Sequence, residues 1–578
     1  MQRKLTSHTF NKIIACLFCS IFFIAYSSPI TYLIKYYHAF AYTMCAIAIF
    51  LSSINAKPKA LNFTLLDILG FIFIILISLN IFLTYSININ WLYPLNMFNG
   101  TMLYIAFRQN KQIQIGVIEI LSYVLLFGLF YGILETCLGE EIKWIFFNST
   151  VYANFIILIF SLSIPYLYFR EFPEFNANRK YQFCILILVM LGLLFFTFGR
   201  IAIFAFLISI FLVILFNRKY ISKLAYRALC AAMVLSFSIL VMSLLFHKTG
   251  STSGRLFIWN LIVENANPVW LKGNGFGQFR SYFTNLLTNH WTGSYTESDL
   301  FRADIIEYAF NDYFQLFSEG GILIVASYLL LLGYSLYVNF KNVQLPIAKS
   351  NLIFLLAFII ISFASYNLYQ FPFIFLLALS LSFTSSLGTI RYSLNLSGWN
   401  VRLFKTTVSV VYLSIIAIQI FFVLNYSFIK EVFQRPIPIT YEVLKRKKPL
   451  LRFDKDILYE LSLYNFNKGN YQEAVQLMLA SGRISESIDA NLLLGRSYLA
   501  LKKYELANTY LINAGKIHPG RFKPKYYLFE FYNEVGNKEK LRDLCLDIIN
   551  TPIKVDSEEV RLLRRKAVDK LEELKFIL

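Results

Sequence analysis

The chain has 578 residues, of which 57% are hydrophobic, 18% aromatic and 15% charged, and its formal net charge is +20. A soluble globular chain carries about a quarter charged residues, so this composition excludes an ordinary soluble enzyme and points to a membrane protein. Most Lys and Arg before residue 430 lie in short connectors between apolar runs, which reads as an orientation signal and argues against a nucleic-acid partner.

A helix needs about 20 apolar residues to cross the hydrocarbon core. In chain order, candidate spans centre on 13–28, 36–54, 65–85, 91–107, 113–134, 151–169, 181–198, 201–216, 226–246, 320–338, 350–366, 370–387 and 406–426. That gives about thirteen transmembrane helices, several of them short enough to tilt or re-enter. The first run follows Arg3, Lys4 and Lys12 but has no small-residue cleavage site, so it reads as a retained span. Cys16 and Cys19 form a lone C-x-x-C inside that run and read as small buried side chains, with no metal or disulfide implied.

Basic residues fix the orientation. With a cytoplasmic amino terminus, the inner connectors hold Lys57 and Lys59, Arg108 and Lys111, Arg170 and Arg179, Arg218 and Lys219, Lys341 and Lys349, and Arg402 and Lys405. An opposite connector reads Glu135, Glu140 and Glu141 against Lys143 alone. This places a long loop, residues 247–319, and the carboxyl-terminal tail outside the cytoplasm.

Three polar segments are expected to carry chemistry. Phe198-Gly-Arg200 sets a cation at the outer end of two apolar helices, where arginine is costly and suits a phosphate partner. Ser251-Thr-Ser-Gly-Arg255 opens an amphipathic helix that Thr252 or Ser253 would cap and Asn267-Pro268 would end. Gly273-Asn-Gly275-Phe-Gly277 then reads as a tight turn, not a dinucleotide fingerprint, because no strand precedes it. The third segment runs from Glu307 to Gly320 and predicts an amphipathic helix in which Glu307, Asn311 and Gln315 share one face and Asp312 and Glu319 a neighbouring one.

After residue 430 the chain becomes charged and amphipathic. Tyr471 to Tyr504 and Ala474 to Ala507 are both offsets of 33 residues, close to the tetratricopeptide period, with a degenerate third unit through Tyr526, Gly536 and Leu541. The expectation is an all-α chain: a polytopic membrane domain over residues 1–429 and an α-α superhelical, tetratricopeptide-like domain over 430–578 that holds a protein partner or peptide.

The motif order resembles the O-antigen ligase and polymerase superfamily, which includes oligosaccharyltransferases acting on proteins. Gly199-Arg200 at a span boundary is followed by Ser253-Gly-Arg255-Leu-x-x-Trp259, then Gly273-x-Gly-x-Gly-x-Phe279, then Asn311-Asp-Tyr-x-Gln315-Leu-x-x-Glu319-Gly-Gly. The likeness covers roughly residues 185–392 and implies metal-independent, inverting transfer of a glycan from a polyprenyl-diphosphate lipid donor, without a cofactor, at the outer face of the bacterial cytoplasmic membrane. The acceptor would be a glycan, a lipid or a protein. The resemblance assigns Arg200 and Arg255 to the diphosphate, and Asn311 and Gln315, on the polar stripe at the membrane mouth, are expected to bind substrate as well. Many relatives have histidine immediately before the Asn of the last motif, but here that residue is Phe310. Glu307, Asp312 and His290 are the candidates for its proton-accepting role. Two readings of other classes stand beside this one: a transporter or flippase, disfavoured by the scarcity of central charges in the spans, and an inactive scaffold of the same fold, suggested by Phe310.

Overall fold

The computed structural model describes, in the main, residues 60–84, 89–218, 249–395 and 455–575, with short gaps inside those ranges. The described chain is almost wholly helical and divides into two compact units. The first comprises the described residues of Met1–Phe82, Asn90–Thr249 and Phe310–Val423, and the second those of Leu83–Ile89, Gly250–Ala309 and Leu424–Leu578.

The first unit contains α1 (Leu65–Leu83), α2 (Leu92–Gln109), α3 (Lys111–Cys137), α4 (Ser149–Glu171), α5 (Ala177–Thr197) and α6 (Arg200–Phe216). After the loop come α10 (Asp312–Lys341), α11 (Pro346–Ser362) and α12 (Phe371–Leu387). Each falls on an expected span window, whereas the windows at 13–28, 36–54, 226–246 and 406–426 lie wholly or mostly outside the described residues. Among the described residues four helices, Leu65–Leu83, Ile113–Cys137, Ser149–Arg170 and Asp312–Lys341, are long and apolar enough to cross a membrane. Helix is the form such segments take in hydrocarbon, because it satisfies every backbone donor within the segment.

The centre of this unit is α4, which packs against α3, α6 and α11 and is the most buried of the long apolar helices. Polar side chains fasten its neighbours. Asn351 on α11 donates to Asn339 Oδ1 on α10 (3.1 Å) and to Thr384 Oγ1 on α12 (3.0 Å), while its own Oδ1 accepts from Ser380 (2.6 Å). Such interhelical hydrogen bonds hold helices together where lipid and side chains are equally apolar. A second lock surrounds buried Asp67 on α1. It accepts from Thr64 N (2.6 Å), Thr64 Oγ1 (2.8 Å), Ser385 Oγ (3.1 Å) and the Tyr104 hydroxyl, and lies 3.7 Å from Arg108 Nε. Beside this lock, the described residues depart from the expected all-α architecture in a short strand pair. Ala60–Thr64 (β1) and Ile390–Asn395 (β2) pair antiparallel, with Leu61 opposite Leu394 and Phe63 opposite Tyr392.

In the second unit the loop supplies α7 (Thr249–Glu264, from Gly250 onward), α8 (Phe279–His290) and α9 (Glu297–Arg302). The tail supplies α13 (Lys455–Asn467), α14 (Tyr471–Ser481), α15 (Ile488–Ala500), α16 (Tyr504–Ile517), α17 (Phe522–Val535), α18 (Lys538–Asn550) and α19 (Glu558–Lys575). Neighbours in sequence pack as pairs: α13 on α14, α15 on α16, α17 on α18. Small residues permit this, since Ala474 and Ala507 are fully buried and a Cβ on Gly495 would come within 2.6 Å of Leu511. The composition change at residue 430 therefore separates the tail from the apolar helices but not from the loop, which shares the tail's compact unit.

Specific contacts join the loop to the tail. Trp291 Nε1 donates to the Ile517 carbonyl (3.1 Å), Arg521 pairs with Asp304 (2.5 Å), and His518 Nε2 lies 3.3 Å from the Ala303 carbonyl. Burial holds the His518 imidazole below its ordinary value, against the smaller opposing effect of the Ala303 carbonyl. A histidine depressed in the folded state contributes stability that is present above its unfolded pKa, about 6.5, and is lost as pH falls through the folded one. The thermal midpoint of the protein is thus expected to fall between about pH 7 and pH 5. His518→Gln should flatten that fall, and an unchanged slope in the variant would assign it to other groups.

Candidate functional site

The polar head of α10 is built by an interruption of helix. Phe310 has φ 52°, a region that bulky residues rarely adopt, and its ring packs edge-on against Tyr366 at 5.7 Å. Asn311 follows in extended conformation and caps the helix, accepting from Tyr313 N (2.9 Å) and Phe314 N (3.1 Å) while donating to the Phe363 carbonyl (3.1 Å). Residues 303–311 are consequently not helical. This corrects the expected helical face: Glu307 does not share one with Asn311 and Gln315, because the backbone turns at Phe310 before the helix begins.

Beyond the cap, Asp312, Gln315 and Glu319 are spaced as i, i+3 and i+7, so they share one face, and all three are fully buried. Asp312 Oδ1 accepts from Leu368 N (3.2 Å), and its Oδ2 has no hydrogen-bond partner among the described residues. Glu319 Oε2 accepts from the Tyr369 hydroxyl (2.7 Å), and that ring stands edge-on to Tyr93 at 4.9 Å. Gly321 (φ 69°, ψ −174°) then breaks α10, a conformation open to glycine alone without large strain. The break deprives preceding carbonyls of intrahelical donors, and Asn80 Nδ2 reaches the Glu319 carbonyl at 3.3 Å.

Arg200 opens α6 and is half-buried. The preceding Gly199 approaches α4 so closely that a Cβ there would lie 3.1 Å from Ala153. The next residue, Asn154, donates to Ser365 Oγ (3.1 Å) in the connector between α11 and α12. The Gly199–Arg200 turn and the connector that holds Asp312 are therefore linked through α4. Among the described residues Arg200 has no ion-pair or hydrogen-bond partner.

The other candidates belong to the second unit. Arg255 and Trp259 lie one turn apart on α7, and Trp259 Nε1 donates to the Ala309 carbonyl (2.9 Å). The helix starts at Thr249, so Thr252 and Ser253 are internal to it and do not cap it. Glu307 is paired with Arg280 at 3.0 Å and its side chain is 42% exposed, so it is an ion-paired, solvated carboxylate. His290 ends α8, ten residues beyond Arg280 and hence about 15 Å along the helix, so Glu307 and His290 are not brought together. His290 Nε2 instead lies 3.8 Å from Asp299 Oδ2. Burial works against the charged form of Asp299, but hydrogen bonds from Thr296, with His290 and Arg302 nearby, hold its carboxyl below the usual range.

The loop glycines form the expected turn. Gly275 has φ 115°, and a Cβ there would meet Gln278 Nε2 at 2.1 Å and Thr84 Oγ1 at 2.7 Å. Gly275→Ala is expected to lower stability by about 2–3 kcal/mol, read as a fall in thermal midpoint. An unchanged midpoint would mean that the turn is not constrained.

The chain matches no known family model and no curated protein. Among the described residues, no group of three or more His, Cys, Asp or Glu side chains is placed to hold a metal ion. Sequence reasoning missed Tyr369, Arg280 and Asp299. Tyr369 and Arg280 carry no local signal, since each acts through a partner distant in sequence. Asp299 was signalled by the capping pattern Thr296-Glu-Ser-Asp299, in which Thr296 N donates to Asp299 Oδ2 at 2.8 Å.

Proposed function

We propose that the protein is a glycosyltransferase that moves a glycan from a polyprenyl-diphosphate lipid to an acceptor at the outer face of a bacterial cytoplasmic membrane, in the manner of O-antigen ligases. The observation that carries this reading is the pair of fully buried carboxylates, Asp312 and Glu319, on one face of the short head of an apolar helix, ahead of its break at Gly321. Ionisable groups in such helices are costly and mark sites of chemistry. Asp312 is the favoured base because one of its oxygens makes no well-aligned hydrogen bond among the described residues. In the proposed step it takes the proton of the acceptor hydroxyl, whose oxygen bonds to the anomeric carbon. The bond from that carbon to the diphosphate breaks, and its electron pair leaves with the diphosphate. Arg200 and Arg255 are the residues that the resemblance assigns to the charge developing there.

The finer features belong to the same reading: about thirteen spans, a cytoplasmic amino terminus, an external loop, and a tetratricopeptide-like tail that engages a protein partner. Polymerisation of glycan repeats and transfer to protein are variants that differ only in acceptor. Phe310, in place of a histidine, favours one reading of another kind, a scaffold that binds the donor without turnover.

Replacing a general base typically costs about 100- to 10,000-fold in rate. In vesicles containing the purified protein and a polyprenyl-diphosphate glycan, Asp312→Asn should therefore fall by at least about 100-fold, with Glu307→Gln affected much less. Silencing by Glu307→Gln but not by Asp312→Asn would move the base to Glu307.

A further inference from the structure

The second unit carries a half-open cavity of about 410 Å³ between α7 and the segment carrying His290 and Arg302. This lies within the roughly 300–1,000 Å³ range of small-molecule sites. One wall is a helical face in which Phe257 and Leu261 alternate with Asn260 and Glu264. Successive residues turn by about 100°, so Arg255 lies on the opposite side of α7. Across the cavity stands His290, held edge-on to Phe257 at 5.3 Å. Its Nε2 is buried and makes no hydrogen bond among the described residues. Asp299 Oδ2, at 3.8 Å, is too far to accept from it, and a buried polar atom that lines a cavity without a hydrogen bond has room for one from a ligand. Asn260, Glu264 and Arg302 are exposed at the rim, and among the described residues their side chains make no hydrogen bond, although the Arg302 charge acts on nearby Asp299.

We infer that this cavity holds one neutral saccharide residue, with its hydroxyls against His290, Asn260, Glu264 and Arg302 and its apolar face on Phe257. A hydroxyl both donates and accepts, so it suits a wall that mixes an amide, a carboxylate, an imidazole and a guanidinium. An anion would meet Glu264 and Asp299 as well as Arg302, so phosphate or a sugar acid fits less well. That the saccharide belongs to the acceptor glycan rests on the transferase reading; that the cavity binds it does not.

The test is ligand-observed saturation-transfer NMR on the full-length protein in a detergent without a sugar headgroup. The probes are neutral hexoses, deoxyhexoses and N-acetylhexosamines, as mono- and disaccharides, with inorganic phosphate for comparison. At least one neutral sugar should give a signal that phosphate does not displace. Asn260→Ala and Glu264→Ala, both at exposed positions, should each weaken its binding by about tenfold or more, the scale of a lost hydrogen-bonding partner. His290→Ala should do the same, and the two exposed variants decide the matter if it fails to fold. No signal from any of these sugars, displacement by phosphate, or binding unchanged in Asn260→Ala and Glu264→Ala would overturn the inference. Because no lipid donor or turnover is involved, sugar binding without transfer would sink the transferase reading alone.

Discussion

Arg200→Ala should lower glycan transfer by at least about 100-fold, the usual cost of removing a fixed group that stabilises charge developing in a transition state. Its thermal midpoint should remain near that of the parent protein. The reason lies in the contrast between the cost of the residue and its lack of a structural role. An arginine at the end of two apolar helices is expensive to place, yet Arg200 has no ion-pair or hydrogen-bond partner among the described residues. It also stands at the first turn of α6, where the helix dipole favours an anion. A guanidinium grips a diphosphate with two parallel hydrogen bonds, whereas an ammonium offers a point charge, so Arg200→Lys should recover only part of the loss. Activity of Arg200→Ala within about threefold of the parent would remove this residue from the chemistry.

Asp67→Ala is the second large effect, and it concerns stability. The carboxylate gathers Thr64, Tyr104, Ser385 and Arg108, and so ties β1 and α1 to α2 and α12. Removing one member of a buried charged network leaves the others desolvated and unmatched, at a cost of about 3–5 kcal/mol. Arg108 is about a quarter exposed, which places the expected loss near the lower end, about 3 kcal/mol. Ser393→Ala, which removes an exposed hydrogen bond to Asn62 in the same strand pair, should cost less than about 0.5 kcal/mol and serves as the control. Equal midpoints for the two variants in detergent would show that the lock contributes nothing.

The helices of the first unit were legible because each apolar run must close its own backbone hydrogen bonds. Windows such as 151–169 and 370–387 differ from α4 and α12 by only a residue or two at each end. The head of α10 was legible in part. Asn311 before Asp312 is a strong capping residue, but the four-residue spacing of Glu307, Asn311 and Gln315 was read as helical phase through a residue, Phe310, that leaves helical conformation. Periodicity records spacing and is blind to one residue with positive φ. The pairing of β1 with β2 joins segments more than 300 residues apart, and the docking of Trp291 and Asp304 on the tail is likewise long-range, so no local pattern announces either. In the tail, the 33-residue offset placed Tyr471 and Tyr504 at equivalent positions, and each proves to be the first residue of a helix.

The most direct test of the central claim is release of polyprenyl diphosphate from a polyprenyl-diphosphate-linked glycan by the purified protein, with a chelator present and an acceptor glycan supplied. The expected result is acceptor-dependent release, with the glycan recovered on the acceptor, and with both abolished in Arg200→Ala and Asp312→Asn. Donor that stays intact with every acceptor offered, or release indifferent to both substitutions, would contradict it.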